Sequence, residues 1–176
     1  VVPGRAIGEI PEAVAAYRRA LATDPDNADA HTDLGNALLA QGRTDDAMAA
    51  YRRALEIAPH HPKALNNLGS VLKDGGRLDE AIAFLGRAIE AGPAEAMAHF
   101  NLGLALKEAR RPAEAVVALR RAVAIDPGLA EAHYVHALLH AFRPDDEALA
   151  GLEEAVAAVP LSDSSRAYLL FALGKG

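Results

Sequence analysis

The fold is decided by residues 28–61, which read ADAHTDLGNALLAQGRTDDAMAAYRRALEIAPHH. Glycine enters the left-handed conformation of a helix end at little cost, so Gly42 is expected to end a first helix. The Thr44 hydroxyl is suited to cap a second helix that starts directly afterwards. We therefore predict one helix over about Ala28–Gln41 and another over about Thr44–Ala58.

The same pattern returns along the chain with a period of 34 residues. Several independent columns keep this step, which indicates an internal repeat. The columns include Pro25/Pro59/Pro93/Pro127, Leu34-Gly35/Leu68-Gly69/Leu102-Gly103 and Ala47/Ala81/Ala115. The small residues have a packing reason, because glycine and alanine let two helix backbones approach closely. A bulky residue in the glycine column would push the helices apart.

These columns resemble the tetratricopeptide repeat (TPR) over nearly the whole chain. The resemblance implies an all-α fold, a right-handed αα superhelix (TPR solenoid) of antiparallel helix pairs. Its first helices would line a concave groove that binds a peptide or a partner protein. The implied units are a partial repeat at 1–27, full repeats at 28–61, 62–95 and 96–129, a degenerate repeat at 130–162 and the start of a further repeat at 163–176.

Both ends of the chain look cut. The first 27 residues supply only a second helix, about Pro11–Thr23, with Gly8 in the preceding turn. Pro11 is then near the helix start, where its missing N–H costs little. At the far end Leu170 and Phe171 are apolar, whereas terminal repeats of an array present a polar outer face. We expect a fragment of a longer protein; the alternative is a complete small array that ends in one solvating helix.

Composition excludes several classes of function. The chain has 176 residues, a net charge of −6 and no cysteine. The acidic balance argues against a general nucleic-acid binder, and the lack of thiols excludes thiolate zinc sites and cysteine nucleophiles. No apolar run approaches the roughly 20 residues of a membrane helix. No phosphate loop, nucleophile elbow or metalloprotease motif is present, so we expect neither an enzyme nor a cofactor. No signal peptide is visible, which favours the cytoplasm.

One column on the predicted concave side reads Asp33, Asn67, Asn101 and Val135. In the similar TPR arrays of O-linked N-acetylglucosamine transferases, asparagines in this column form a ladder that binds a peptide backbone. The resemblance implies the same role for Asn67 and Asn101, because an amide offers two donors and an acceptor. Asp33 would only accept, and Val135 would end the ladder. The alternative is that these asparagines are solvated and idle.

The dicarboxylate clamp of chaperone cofactors, a second TPR binding mode, is not expected. Asn36 and Asn67 occupy its asparagine columns, but its three basic columns hold Thr32, Met97 and Asn101. Without cations, the carboxylates of an acidic peptide end would lack their charge-assisted hydrogen bonds.

Polarity changes along the first-helix columns. The N-terminal columns offer Asn36 and other polar residues, whereas the C-terminal ones are apolar and include Phe100, Leu104 and Tyr134. An exposed apolar stripe would mark an interaction site. We therefore expect these three residues to anchor a ligand that Asn36 also contacts. The alternative is that the stripe packs against a following repeat or within the core.

The histidines fall into two groups. His31, His99 and His133 share a column that carries an aromatic residue in TPRs, so we expect packing roles. His133, His136 and His140 lie at i, i+3 and i+7, a spacing suited to zinc. His136 and His140 fall in core-leucine columns, however, so we expect loose packing and no metal.

Three hypotheses about function remain open. The leading one is an interaction module that binds a protein or extended peptide, with no catalysis, nucleic acid or membrane involved. The second makes the chain the recognition arm of a sulfotransferase or glycosyltransferase whose catalytic domain lies beyond Gly176, because the C-terminal residues resemble the arrays of bacterial TPR sulfotransferases. The third is self-association through open repeat ends.

Overall fold

The computed structural model describes residues 4–140, which form eight helices and no strand. The predicted all-α class is confirmed, and no helix in this range is long and apolar enough to cross a membrane. The predicted repeats beyond residue 140 lie outside the described residues. The helices are α1 Gly4–Thr23, α2 Ala28–Ala40, α3 Thr44–Ile57, α4 Pro62–Asp74, α5 Leu78–Ala91, α6 Ala96–Glu108, α7 Pro112–Ile125 and α8 Ala130–His140.

The helices form pairs. Three residues connect α2 to α3, α4 to α5 and α6 to α7, and four residues connect one pair to the next. Such short connections turn the chain back on itself, so the helices of a pair are antiparallel. Helices α2 and α3 end within one residue of the prediction from the glycine and proline positions.

The chain divides into two compact units, Val1–Gly92 and Pro93–Gly176. In unit 1 the largest fully buried side chains come from α3, α4 and α5: Tyr51, Leu65, Leu68, Leu72 and Leu85. In unit 2 a core cluster joins α6, α7 and α8 through Phe100, Leu119, Ala122, Ala132 and Val135. Each unit therefore has a core of its own.

The glycine column allows the two helices of each pair to pack closely. A Cβ atom at Gly35 would lie 2.4 Å from Cε1 of Tyr51, and one at Gly103 would lie 2.7 Å from Cγ of Leu119. Both distances are far below van der Waals contact, so these positions accept only glycine without movement of the neighbour. The packing role predicted for this column is confirmed.

The turns inside the pairs need a left-handed residue. Gly42 has φ 75° and Gly76 has φ 73°, but Arg110 takes the corresponding place in the third turn with φ 58°. In that turn the N–H of Arg111 donates to the carbonyl of Leu106 at 2.9 Å, as in a Schellman cap. The hydrogen bonds of the cap therefore hold a non-glycine residue in a conformation that costs about 1 kcal/mol or more.

The predicted start of α1 is wrong. The helix begins at Gly4, so Gly8 and Pro11 lie inside it instead of at a turn and a helix start. Ile7, Ile10 and Val14 continue a helical spacing through both residues, and the pattern outweighs the local cost of one proline.

The predicted Thr44 cap is also wrong. Thr44 is the first residue of α3, and the N-cap residue Arg43 makes no side-chain cap bond. Instead Nε of Arg43 donates to Oδ2 of Asp46 at 2.8 Å. The second helices α5 and α7 begin with the same arrangement, Arg77 with Glu80 and Arg111 with Glu114.

Candidate functional site

Two side-chain amides connect α2 and α4, the first helices of two consecutive helix pairs in unit 1. Nδ2 of Asn67, on α4, donates to Oδ1 of Asn36, on α2, at 2.7 Å. Asn66 extends the network, because its Nδ2 donates to Oδ1 of Asn67 at 3.2 Å. Asn36 and Asn67 occupy different columns of the repeat, and the structure brings them into direct contact.

A buried tyrosine on the neighbouring helix α3 holds the Asn36 amide in place. The hydroxyl of Tyr51, on α3, donates to the same Oδ1 atom of Asn36 at 2.8 Å. The side chain is fully buried, and burial raises the pKa of Tyr51 to about 12. The phenol therefore stays protonated and remains a donor at any physiological pH.

The outer side of this network is open. Asn36 and Asp33 are exposed, and Asn67 is half-buried. Asp33 precedes Asn36 by three residues, so the two side chains are neighbours on one face of α2. Three of the predicted site residues, Asp33, Asn36 and Asn67, thus lie together on unit 1 as an accessible polar surface, which we call the amide surface.

The corresponding residues of unit 2 are placed differently. Asn101 and Phe100 are each 8% exposed, and Phe100 belongs to the core cluster. Leu104 and Tyr134 are partly buried and pack against that cluster. The structure therefore favours the packing alternative for Phe100, whereas Leu104 and Tyr134 keep some surface.

Two apolar side chains near these residues are open to solvent. Met97 on α6 and Leu138 on α8 are each 46% exposed. Both belong to the apolar first-helix columns, and no periodic signal separates them from the buried members.

The clamp columns carry no charge suited to an acidic peptide end. Thr32 is almost fully buried, and its hydroxyl donates to the carbonyl of Ala28 at 2.9 Å within its own helix. Asn101 is also buried. Two of the three positions that carry cations in a dicarboxylate clamp are thus buried, uncharged side chains.

The histidine column has a structural role. Nε2 of His31, His99 and His133 each donates to the carbonyl of the proline six residues earlier, at 2.9, 3.1 and 3.0 Å. The ring thereby ties each first helix to the loop before it. Within residues 4–140 no group of three metal-binding side chains is found. The side chain of His140, named in the zinc alternative, lies outside the described residues.

Unit 1 also holds a cavity that the sequence did not predict. Its volume is about 430 Å³, and it lies among the end of α2, the start of α3 and the end of α4. Its walls are mainly apolar, with carboxylates at the edge; they include Leu39, Asp45, Met48, Val71 and Asp74. Helix periodicity gives no sign of such a cavity, because three separate helix ends form it.

Comparison with protein families identifies the repeat. Models described as tetratricopeptide repeat match residues 5–62, 38–102 and 96–129, and together they extend over residues 5–129. No curated protein matches the chain significantly.

Solved structures share the architecture. PilF of Pseudomonas aeruginosa has a TM-score of 0.78 and 23% identity, over 96% of this chain and 78% of that chain. MamA from Desulfovibrio magneticus RS-1 has a TM-score of 0.72 and 22% identity, over 85% of each chain. YrrB, described as a TPR protein with an unusual peptide-binding site, has a TM-score of 0.69 and 25% identity, over 95% of this chain and 84% of that chain.

Proposed function

Since the chain belongs to the tetratricopeptide repeat proteins over residues 5–129, we propose that it is an interaction module without catalysis of its own. The amide surface of unit 1 binds an extended segment of a partner protein. Asp33, Asn36 and Asn67 make the contacts, and they do so with the main chain of that segment.

One observation carries this proposal. The 2.7 Å bond between Asn67 and Asn36 fixes two amides from neighbouring first helices relative to each other, while Asn36 stays exposed. Amides held in place lose little conformational entropy on binding, so their hydrogen bonds contribute more to affinity. A peptide main chain alternates donors and acceptors, which suits a surface that combines amides with a carboxylate.

The similarity to YrrB supports the same function, because that protein is described as having a peptide-binding site. In unit 2, we assign apolar contacts to Leu104 and Tyr134, and a role in holding α6 in place to the buried Asn101 and Phe100.

A capture experiment tests the proposal. Immobilised chain and an Asn36→Ala/Asn67→Ala variant are exposed to lysate of the source cell, and bound proteins are identified by mass spectrometry. The matched control is Arg52→Ala/Glu90→Ala, which changes two exposed residues on the second helices α3 and α5. We expect the asparagine variant to lose the partner that the parent and the control both retain. Equal capture by all three folded proteins would show that the amide surface does not bind the partner.

The enzyme-arm alternative concerns the parent protein. If the reading frame continues beyond Gly176 into a sulfotransferase or glycosyltransferase domain, the captured segment would be that enzyme's substrate. The resemblance to transferase arrays stays a prediction. Sequencing the parent gene decides it, and the binding role of unit 1 is the same in both cases.

A further inference from the structure

Tyr51 determines which groups the amide surface offers. The only hydrogen bond of its hydroxyl within residues 4–140 is the 2.8 Å bond to Asn36. A buried phenol that loses its acceptor pays the full desolvation cost, so this bond is strongly preferred. The amide of Asn36 must therefore turn its oxygen towards Tyr51 and its Nδ2 group away from it.

Hydrogen bonds between the side-chain amides also orient Asn67 and Asn66. Oδ1 of Asn36 also accepts from Nδ2 of Asn67, and Oδ1 of Asn67 accepts from Nδ2 of Asn66. Both carbonyl oxygens of the pair are thus engaged inside the protein. Both lone pairs of Oδ1 of Asn36 are occupied, so Asn36 offers a ligand only its two N–H donors, while Asn67 keeps its second N–H and one lone pair of its Oδ1.

Asp33 adds the opposite property beside these donors. Its exposed carboxylate lies about one helical turn from Asn36 and offers only acceptors. It suits a main-chain N–H of a ligand, and it repels a terminal carboxylate.

We propose that Tyr51 is a positioning residue that turns both N–H donors of Asn36 outward, and that these donors bind main-chain carbonyl oxygens from the interior of an extended peptide and not a free C-terminus. This inference rests on the function proposed above. It names the ligand chemistry of the same surface.

The arrangement is confined to one repeat. At the positions 34 residues after Asn36 and Tyr51 the chain has Ser70 and Leu85, and after a further 34 it has Leu104 and Leu119. Neither of those pairs joins a buried hydroxyl to an amide, so the oriented donors belong to α2 and α4.

A peptide array tests the inference. Random dodecapeptides with blocked ends and the same sequences with free C-terminal carboxylates are probed with the labelled chain, and Kd values of selected peptides are measured by fluorescence anisotropy. We expect blocked peptides to be preferred. The preference should weaken about fivefold in Asp33→Asn, since that variant removes the repelling charge.

Two variants test the orientation itself. Asn36→Asp can still accept the bonds from Tyr51 and Asn67 but replaces the outward N–H donors by an acceptor, so we expect at least about tenfold weaker binding of blocked peptides. Tyr51→Phe keeps the ring but frees the amide to turn over, so we expect binding about threefold weaker. Thermal unfolding checks that each variant is folded. If Tyr51→Phe does not fold, Asn36→Asp still tests the inference.

The outcomes separate the two proposals. If Asn36→Ala/Asn67→Ala binds selected peptides as well as the parent, the proposed function fails. If that double variant loses binding while Asn36→Asp retains it, or if free carboxylates are preferred, the surface binds peptides but the role inferred for the outward donors of Asn36 is wrong.

Discussion

The first helices of unit 1 and unit 2 carry asparagines in the same column but use them differently. On α4, Asn67 is half-buried and bonds across to Asn36 on α2. On α6, Asn101 is buried beside Phe100, which is part of a core cluster with Val135 of α8. The column therefore specifies where a side chain lies in the repeat, and its neighbours determine whether a ligand can reach it.

The largest expected effect concerns the packing that both units share. Gly35→Ala should lower the free energy of unfolding by about 3 kcal/mol, because the added Cβ meets the ring of Tyr51, which its bond to Asn36 holds in place. Gly103→Ala should cost only about 1 kcal/mol, since the side chain of Leu119 has no such tether and can shift. Urea denaturation followed by circular dichroism measures both.

Gly86→Ala is the matched control for these substitutions. It lies in α5, and a Cβ there has nothing within 4 Å, so the higher helix propensity of alanine should stabilise the chain by up to about 1 kcal/mol. If Gly35→Ala costs no more than Gly103→Ala, the tether through Tyr51 does not distinguish the two pairs.

The second expected effect separates stability from binding in the asparagine column. Asn101→Ala removes a buried polar side chain and should cost about 2 kcal/mol, whereas Asn67→Ala should cost about 0.5 kcal/mol. The same two variants should behave oppositely in the capture experiment, with partner lost only for Asn67→Ala. Loss of partner with folded Asn101→Ala would mean that the column acts as one ladder in spite of the difference in burial.

The helix pairs and their close packing could be predicted from the sequence, but the difference in burial between Asn67 and Asn101 could not. The period of 34 residues predicted the helix pairs, and the glycine column predicted their close contact. Asn101 is buried whereas Asn67, in the same column, is only half-buried, and a column pattern contains no information about that difference. The bond between Asn36 and Tyr51 had a usable signal, because this is the one full repeat in which both positions are polar.

The third expected effect concerns the turns. Arg110→Gly should stabilise unit 2 by about 1 kcal/mol, because Arg110 has φ 58° and glycine adopts this conformation without the penalty of a Cβ atom. In unit 1, Gly76→Ala should destabilise by a similar amount, since its φ is 73° and no atom within 4 Å would meet the Cβ. Thermal unfolding measures both, and a loss of stability in Arg110→Gly would show that the arginine side chain outweighs its backbone strain.

The smallest expected effect is a pH dependence in unit 2. Burial lowers the pKa of His133 below its usual value, and this outweighs the opposing effects of the Pro127 carbonyl and the Asp126 charge. Between the lowered pKa and about 6.5, the unfolded chain binds a proton that the folded chain does not. The contribution of His133 to the free energy of unfolding is therefore fully present above about pH 6.5 and decreases as the pH falls below it. Hydrogen exchange of α8 amides, corrected for intrinsic rates, should show protection lost from pH 7 to pH 5, and His133→Phe should remove that slope. A slope that persists in this variant would assign the pH dependence to another group.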